Sequence, residues 1–433
     1  MRLRTLAVLA ASLCVGPVLC AQEEAPPPAP IVDPTVIVQD LARWVDDRVF
    51  GVAVVDVKRL DLGSVLQQLA DAVGRVEAGQ GIDAQDTRET KADVLKGKEL
   101  AEKWVADYTA AGGKEGWMIL APGQALVVPI HEESDAGKLS KLLDVLEIEG
   151  RTAVRERNGV LVTGNPLRGL PLSAAPRAEQ LTEALGACKD IDPVARFVLV
   201  PTDNHRLLLA NFIPLVKANT DVDIPQGLNL RVKWAAIAVS APPAPEVKAV
   251  IQATTHTAAQ QIAAAANQLM SKAVEASPYQ AMNEAGRELK WIANEDRAEL
   301  RVNASQVKRF TSAAAAPLVK ARISARQVEI MAKSRQVLIG VHSFAADKQD
   351  SLPASLDDLQ DYLGGPLTHP DGRGWKLLTP AKRMTQIADP ATTVLLHEDY
   401  KTWPRRGIAV GFVDGHVEWV ATEDRLKELL ETR

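Results

Sequence analysis

The stretch Arg405–Val420, RRGIAVGFVDGHVEWV, reads as a β-hairpin turning at Asp414-Gly415. Both residues tolerate the positive φ of a two-residue type I′ turn, and β-formers flank them. With such a loop Phe412 faces Val417 and Val410 faces Trp419, which gives one apolar face of four side chains. Asp414 and Gly415 are then turn residues, and Phe412, Val417 and Trp419 belong to the hairpin's packing surface.

Upstream, Ile323, Ile330, Val337, Val341 and Phe344 recur at spacings of seven, seven, four and three. That places them on one face of a helix roughly 30 residues long. Lys320, Arg322, Arg326, Lys333 and Arg335 are left for the solvent side. Between helix and hairpin lie Leu352-Pro353 before the short run Ser355–Leu359, then DYLGGPLTHPDGRGWKLLTP and IADPATTVLLHEDY.

Taken together, Ser312–Val420 resembles the prepilin-type processing-associated domain of pilin-like, type II secretion pseudopilin-like proteins. The resemblance rests on Pro317, Ala321-Arg322, Ala325-Arg326, Leu338-Ile339-Gly340, His342, Phe344, Leu352-Pro353 and the string Phe412, Asp414, Gly415, His416, Val417, Glu418, Trp419. It covers about a quarter of the chain, and it implies a helix followed by a small antiparallel β domain that works through protein contacts. Because some pseudopilins bind calcium in this region, it also implies calcium as the cation to consider. Two departures stand out. The family's histidine, ten residues before the Asp-Gly pair, is Pro404 here, and His397 lies seventeen before Asp414. Where the membrane-spanning half of a prepilin helix would begin, this chain has Gln306–Thr311, QVKRFT.

The amino terminus reads as an export leader over residues 1–21: Arg2 and Arg4 precede an apolar run from Leu6 to Leu19, with cleavage after Ala21. The run is short for a membrane span. A lipid anchor at Cys20 is the rival reading, disfavoured because Leu19 is not small. Residues 22–45 then form an acidic, proline-rich linker, QEEAPPPAPIVDP at its start. A periplasmic or extracellular location follows, with no transmembrane helix after leader removal. Of three cysteines only Cys188 surely remains, so no intrachain disulfide can form, and its setting EALGACKD suits a packed small hydrophobe. The formal charge of −5, without a basic block, argues against nucleic acid as a partner.

Between Phe50 and Asn303 the apolar period changes in the same order twice. Each pass runs strand, helix, strand, strand, helix, strands, first over 46–165 and again over 166–305, leaving 306–433 as a third region. Phe50–Val57 is apolar on both faces, as a central strand should be. Pro122-Gly123, Asn158-Gly159 and Pro242-Pro243 supply turns, and Trp117 and Trp234 begin equivalent strands. The expected fold class is therefore α+β: two ferredoxin-like α/β repeats, then a long helix and a small pilin-like antiparallel β domain. A groove between packed repeats would be the default ligand site.

No phosphate loop, nucleophile elbow or zinc-protease helix is present in the sequence, and no catalytic or cofactor-binding residue is assigned. His397, Glu398 and Asp399 with Asp414 and His416, and His369 and Asp371 upstream, are the densest group of conceivable metal ligands. Their spacing matches no known site, so a surface polar cluster is the first reading and a calcium site the second. These features point to an exported, non-enzymatic envelope protein with protein partners. The alternatives are a periplasmic binder of small molecules or peptides in the groove, and an exported hydrolase built on His397 and Asp414.

Overall fold

The computed structural model describes residues 49–431 apart from the segments 77–81, 121–124, 145–153, 157–159, 165–174, 241–244, 366–367, 371, 380–382 and 405. The expected leader, linker and anchor position Cys20, the expected turns at Pro122-Gly123, Asn158-Gly159 and Pro242-Pro243, and Asp371 lie outside the described residues. The protein mixes helices with antiparallel sheets, an α+β fold, and divides into two compact units. The first comprises Met1–Val76 and Thr87–Pro317, the second Glu77–Asp86 and Leu318–Arg433.

The first unit is built on a ten-stranded sheet. Its strands are β1 (Gly51–Asp56), β2 (Glu115–Leu120), β3 (Ala125–Pro129), β4 (Val154–Glu156), β5 (Val160–Gly164), β6 (Pro193–Leu199), β7 (Val232–Ser240), β8 (Val247–Ala253), β9 (Ile292–Asn294) and β10 (Arg297–Val302). Their order is β4-β5-β3-β2-β1-β6-β7-β8-β10-β9, and every ladder is antiparallel. Outward from the central β1–β6 pair, β1-β2-β3-β5-β4 has the same connectivity as β6-β7-β8-β10-β9.

This pattern corrects two expectations. A ferredoxin-like unit contains a split βαβ with parallel strands, and among the described residues no strand pair is parallel. Nor do the passes over 46–165 and 166–305 form separate bodies facing across a groove. Val52 pairs with Val198 and Val54 with Arg196, so the two halves share one hydrogen-bonded sheet.

The intervening helices are α1 (Leu62–Gly74), α2 (Ala84–Ala110), α3 (Ala136–Asp144), α4 (Ala175–Gly186), α5 (Asp203–Thr220), α6 (His256–Ala276) and α7 (Gln280–Arg287). On one face of the sheet Leu181, Ala184 and Leu185 of α4 pack over Val54, Trp117, Val198, Trp234 and Val250. These α4 positions follow helical i, i+3, i+4 spacing, which puts all three on one side. Trp117 and Trp234 are each the third residue of their strand and are fully buried. Opposite, Tyr108 of α2 and Ala111 just after it, with Leu139 and Leu143 of α3, cover Val57 and Val128. Ala258, Ala259 and Ile262 of α6 cover Ala253 and Ala298.

Helix α8 (Ala304–Asp347) runs 44 residues, longer than its sequence stripe suggests, because it begins well before that stripe. Asn303 Oδ1 accepts the Gln306 backbone N–H at 3.1 Å while Gln306 Oε1 accepts the Asn303 N–H at 3.0 Å, a reciprocal cap that starts it. Pro317 lies inside the helix, and the division between the units falls just after it. Among the described residues no helix is long and apolar enough to cross a membrane.

In the second unit, β11 (Gly374–Leu377), β12 (Val394–Asp399), β13 (Ile408–Phe412) and β14 (Val417–Val420) form an antiparallel sheet in that order, followed by α9 (Glu423–Glu431). Ile330, Val337, Leu338 and Val341 of α8 pack on Leu395, Leu396, Ala409, Val413 and Val417. Leu426 and Leu429 of α9 cover Val394, Ile408, Val410, Phe412 and Val420 on the other face. Of the expected helical stripe, Ile330, Val337 and Val341 are buried and Phe344 packs at the margin.

At Gly411 helix and sheet approach closely: a Cβ there would come 2.7 Å from Leu338 Cδ1. Gly411→Ala should therefore cost about 1–3 kcal/mol by overpacking, and Leu338→Ala about 2–5 kcal/mol by leaving a cavity. The double variant should lose less than the two losses added, since the shortened side chain makes room for the methyl. Urea denaturation measures this, and simple additivity would contradict the contact.

Candidate functional site

The hairpin that bears Asp414 and His416 closes differently from its sequence reading. Ala409 pairs with Trp419, Val410 with Glu418 and Gly411 with Val417. The Phe412 N–H donates to the His416 carbonyl at 3.0 Å, and Gly415 N–H to the Phe412 carbonyl at 3.0 Å. The loop is thus three residues, Val413-Asp414-Gly415, with Gly415 at φ +92°. A three-residue loop of this kind ends on a left-handed residue, a role glycine fills without steric strain.

One residue of register moves side chains to the opposite face. Phe412 and Val410 accordingly point toward α9, whereas Val417 and Trp419 join the α8 side. The four do not share one face. Asp414 and Gly415 keep their turn role. Asp414 Oδ1 accepts the His416 backbone N–H at 3.1 Å and lies 2.5 Å from His416 Nδ1, while the His416 ring stacks on Phe412 at 4.1 Å. Partial burial pushes the Asp414 carboxyl up, but the backbone and ring hydrogen bonds from His416 outweigh it and hold the group below its ordinary value.

The other candidates divide along β12. Alternation turns Glu398 toward α8 and His397 toward the α9 side, while Asp399 ends the strand in solvent. The Nδ1–H of buried His397 donates to the Glu398 carbonyl at 2.8 Å, and its ring lies against Tyr400. Among the described residues no group of three or more His, Cys, Asp or Glu side chains is placed to hold a metal ion. The five residues His397, Glu398, Asp399, Asp414 and His416 therefore do not converge on one coordination sphere.

Instead the structure brings Glu398 together with His369, far upstream. Glu398 is fully buried. Its Oε2 accepts the Ala409 backbone N–H at 2.7 Å, and its Oε1 lies 3.0 Å from His369 Nε2 and 3.3 Å from Arg373 Nη1. The His369 ring rests on Trp375 at 4.6 Å, and the Trp375 indole N–H donates to Ser334 Oγ of α8 at 2.9 Å. This is a connected polar chain through a core, and such chains are stable only when their members find partners. Arg373, Ser334 and the hydrogen-bonding role of Trp375 are absent from the sequence reading. Ser334 carried a signal, since it falls within the buried spacing Ile330, Ser334, Val337, Leu338, Val341, where a lone hydroxyl must find an acceptor or donor.

Chemically, Glu398 behaves as a clamp. One oxygen ties β13, and the other gathers the segment before β11 through His369 and Arg373. In the first unit, Cys188 is free and buried, and burial pushes its thiol up to about 12, which agrees with packing rather than nucleophilic use. Comparison with known proteins finds no matching family model, no similar curated protein and no similar solved structure.

Two outcomes follow. Glu398→Ala strips the acceptor from the Ala409 N–H and the counter-charge from Arg373, and should cost about 3–5 kcal/mol in chemical denaturation; Glu398→Gln, which keeps an acceptor, should cost less. For Asp414, a folded value below the ordinary one means its stabilisation is fully present above the ordinary carboxylate range and is lost as pH falls through the folded value. The stability gap between wild type and Asp414→Asn should hold steady above about pH 5 and close toward about pH 3. A gap that widens in acid would contradict this linkage.

Proposed function

We propose that the chain is an exported, non-enzymatic envelope protein whose second unit is a pilin-like domain working through protein contacts, in a system related to type II secretion or pili. The observation that carries this reading is a long helix laid on an antiparallel sheet whose last hairpin bears the Phe-x-Asp-Gly-His-Val-Glu-Trp string. The leader composition supports export. The matching strand order of the two sheet halves, with Trp117 and Trp234 at the same strand position, supports reading the first unit as a duplicated module.

Helix α5 supports a role in contacts. Leu207, Leu208 and Leu215 on it are 58%, 57% and 58% exposed and offer apolar side chains to a partner. The polar candidates, by contrast, serve structural bonds: Glu398 clamps strands and Asp414 caps a turn.

Affinity capture from envelope extract with a tagged mature chain tests the proposal. Secretion or pilus components should be recovered by the wild type and lost with the Leu207→Asp/Leu215→Asp variant. Recovery of the same abundant proteins by both would contradict it.

A further inference from the structure

Helix α5 presents an exposed arc that carries no charge and mirrors itself. Asn211 stands at its centre, exposed, with Leu207 and Leu215 four residues to either side. Leu208 is likewise mirrored by Pro214, and Asn204 by Ala218, all of them exposed. At 3.6 residues per turn these positions fill one arc of about 120° around the helix, centred on Asn211. In a chain whose residues are 24% charged, an exposed arc of leucine, asparagine, proline and alanine departs from the charged outer face of an ordinary surface helix.

The helix's charges lie at the margins and ends of this arc. Arg206 turns toward the sheet, its Nε donating to the Val232 carbonyl at 2.9 Å and its Nη1 to Asp203 at 2.7 Å. Lys217 Nζ donates to Asp223 at 2.7 Å. Asp203 stands in the first turn and Lys217 in the last. A second α5 laid antiparallel therefore brings the acidic end of one helix beside the basic end of the other, and the two helix dipoles oppose each other favourably. A parallel neighbour would align like with like. Pro214, inside the helix, has no N–H to give the Ala210 carbonyl, so an acceptor is left one residue from Asn211. A side-chain amide arriving from across the arc's centre can use it.

We propose that α5 is the dimerisation surface of this protein: two copies pack α5 against α5, antiparallel, across a twofold axis at Asn211, so that Leu207 of one copy meets Leu215 of the other. A twofold contact uses the same patch on both copies, which is what a self-mirroring arc supplies. The two Asn211 amides on the axis fix the register, since sliding by one turn would bury each without its partner. Eighteen residues make about 27 Å of helix. That is a contact at the low end of stable interfaces, so association depends on concentration. The dimer rests on α5 being a contact surface, as the proposed function has it, and adds what covers it.

Sedimentation equilibrium of the full chain alone, over a concentration series, should show the average mass rising from 46.7 kDa toward twice that value. Leu207→Asp and Leu215→Asp should each hold it at the monomer with the melting midpoint unchanged, because both side chains stand in solvent in the single copy. In a Cys14→Ser/Cys20→Ser background, a short bis-maleimide should link Asn211→Cys chains roughly tenfold faster than Asn204→Cys chains, since only position 211 meets itself across the axis. The linking rates give the readout should an aspartate variant fail to fold. A chain that stays monomeric, a dimer that survives both aspartate variants, or equal linking at 204 and 211 would overturn the proposal. So would a monomer that floats with phosphatidylglycerol vesicles, which would make a lipid surface the occupant. Capture of envelope components is read in a separate experiment, so loss of the dimer and loss of the secretion-related reading give different results.

Discussion

Leu338 sits so close over Gly411 that a Cβ there would come 2.7 Å from its Cδ1, so α8 and β13 meet with no strand side chain between them. This steric constraint fixes the depth at which the helix rests on the small sheet, and the rest of the second unit is arranged around it. With the helix seated, Ile330, Val337 and Val341 reach Leu395, Leu396 and Val417. Ser334 arrives at the Trp375 indole, and Trp375 supports the His369 ring beside Glu398. A core packed at crystal-like density transmits such a constraint, since its side chains cannot shift independently.

The hairpin shows how local chemistry and tertiary placement divide the work. Asp414-Gly415 announces a turn in the sequence, and the turn is there. Its length was not legible, because Asp-Gly suits both a two-residue loop and a three-residue loop ending on a left-handed glycine. Usually the apolar alternation decides the register, but here both faces of β13 are buried, by α8 and by α9. A strand apolar on both sides reads equally well in either register. Only the helix against Gly411 and the leucines of α9 separate the two, and α9 itself was not read from its short, highly charged sequence.

In the first unit the succession of strands and helices was legible from period changes, and the apolar two-sided pattern of Phe50–Val57 marked a central strand correctly. Which edges meet was not. Pairing of β1 with β6 joins segments far apart in sequence, and nothing in either strand distinguishes that partner from a parallel neighbour. Helix α4, which covers the centre of the sheet, passed unread although Leu181, Ala184 and Leu185 carry its apolar stripe. The polar sites were the least legible part: His369, Arg373 and Glu398 become neighbours only once β11 and β12 pair, while His397 and Glu398, adjacent in sequence, turn to opposite faces.

The central claim is that the carboxy-terminal part of α8 and the small sheet form one cooperative body, on which the proposed pilin-like reading of this unit depends. Native-state hydrogen exchange of the protein across a denaturant series tests it most directly. The amides of Val337–Val341 and those of Leu396 and Val410 should open with a common free energy and the same denaturant dependence. Helix amides that exchange freely while the strand amides stay protected would contradict the account.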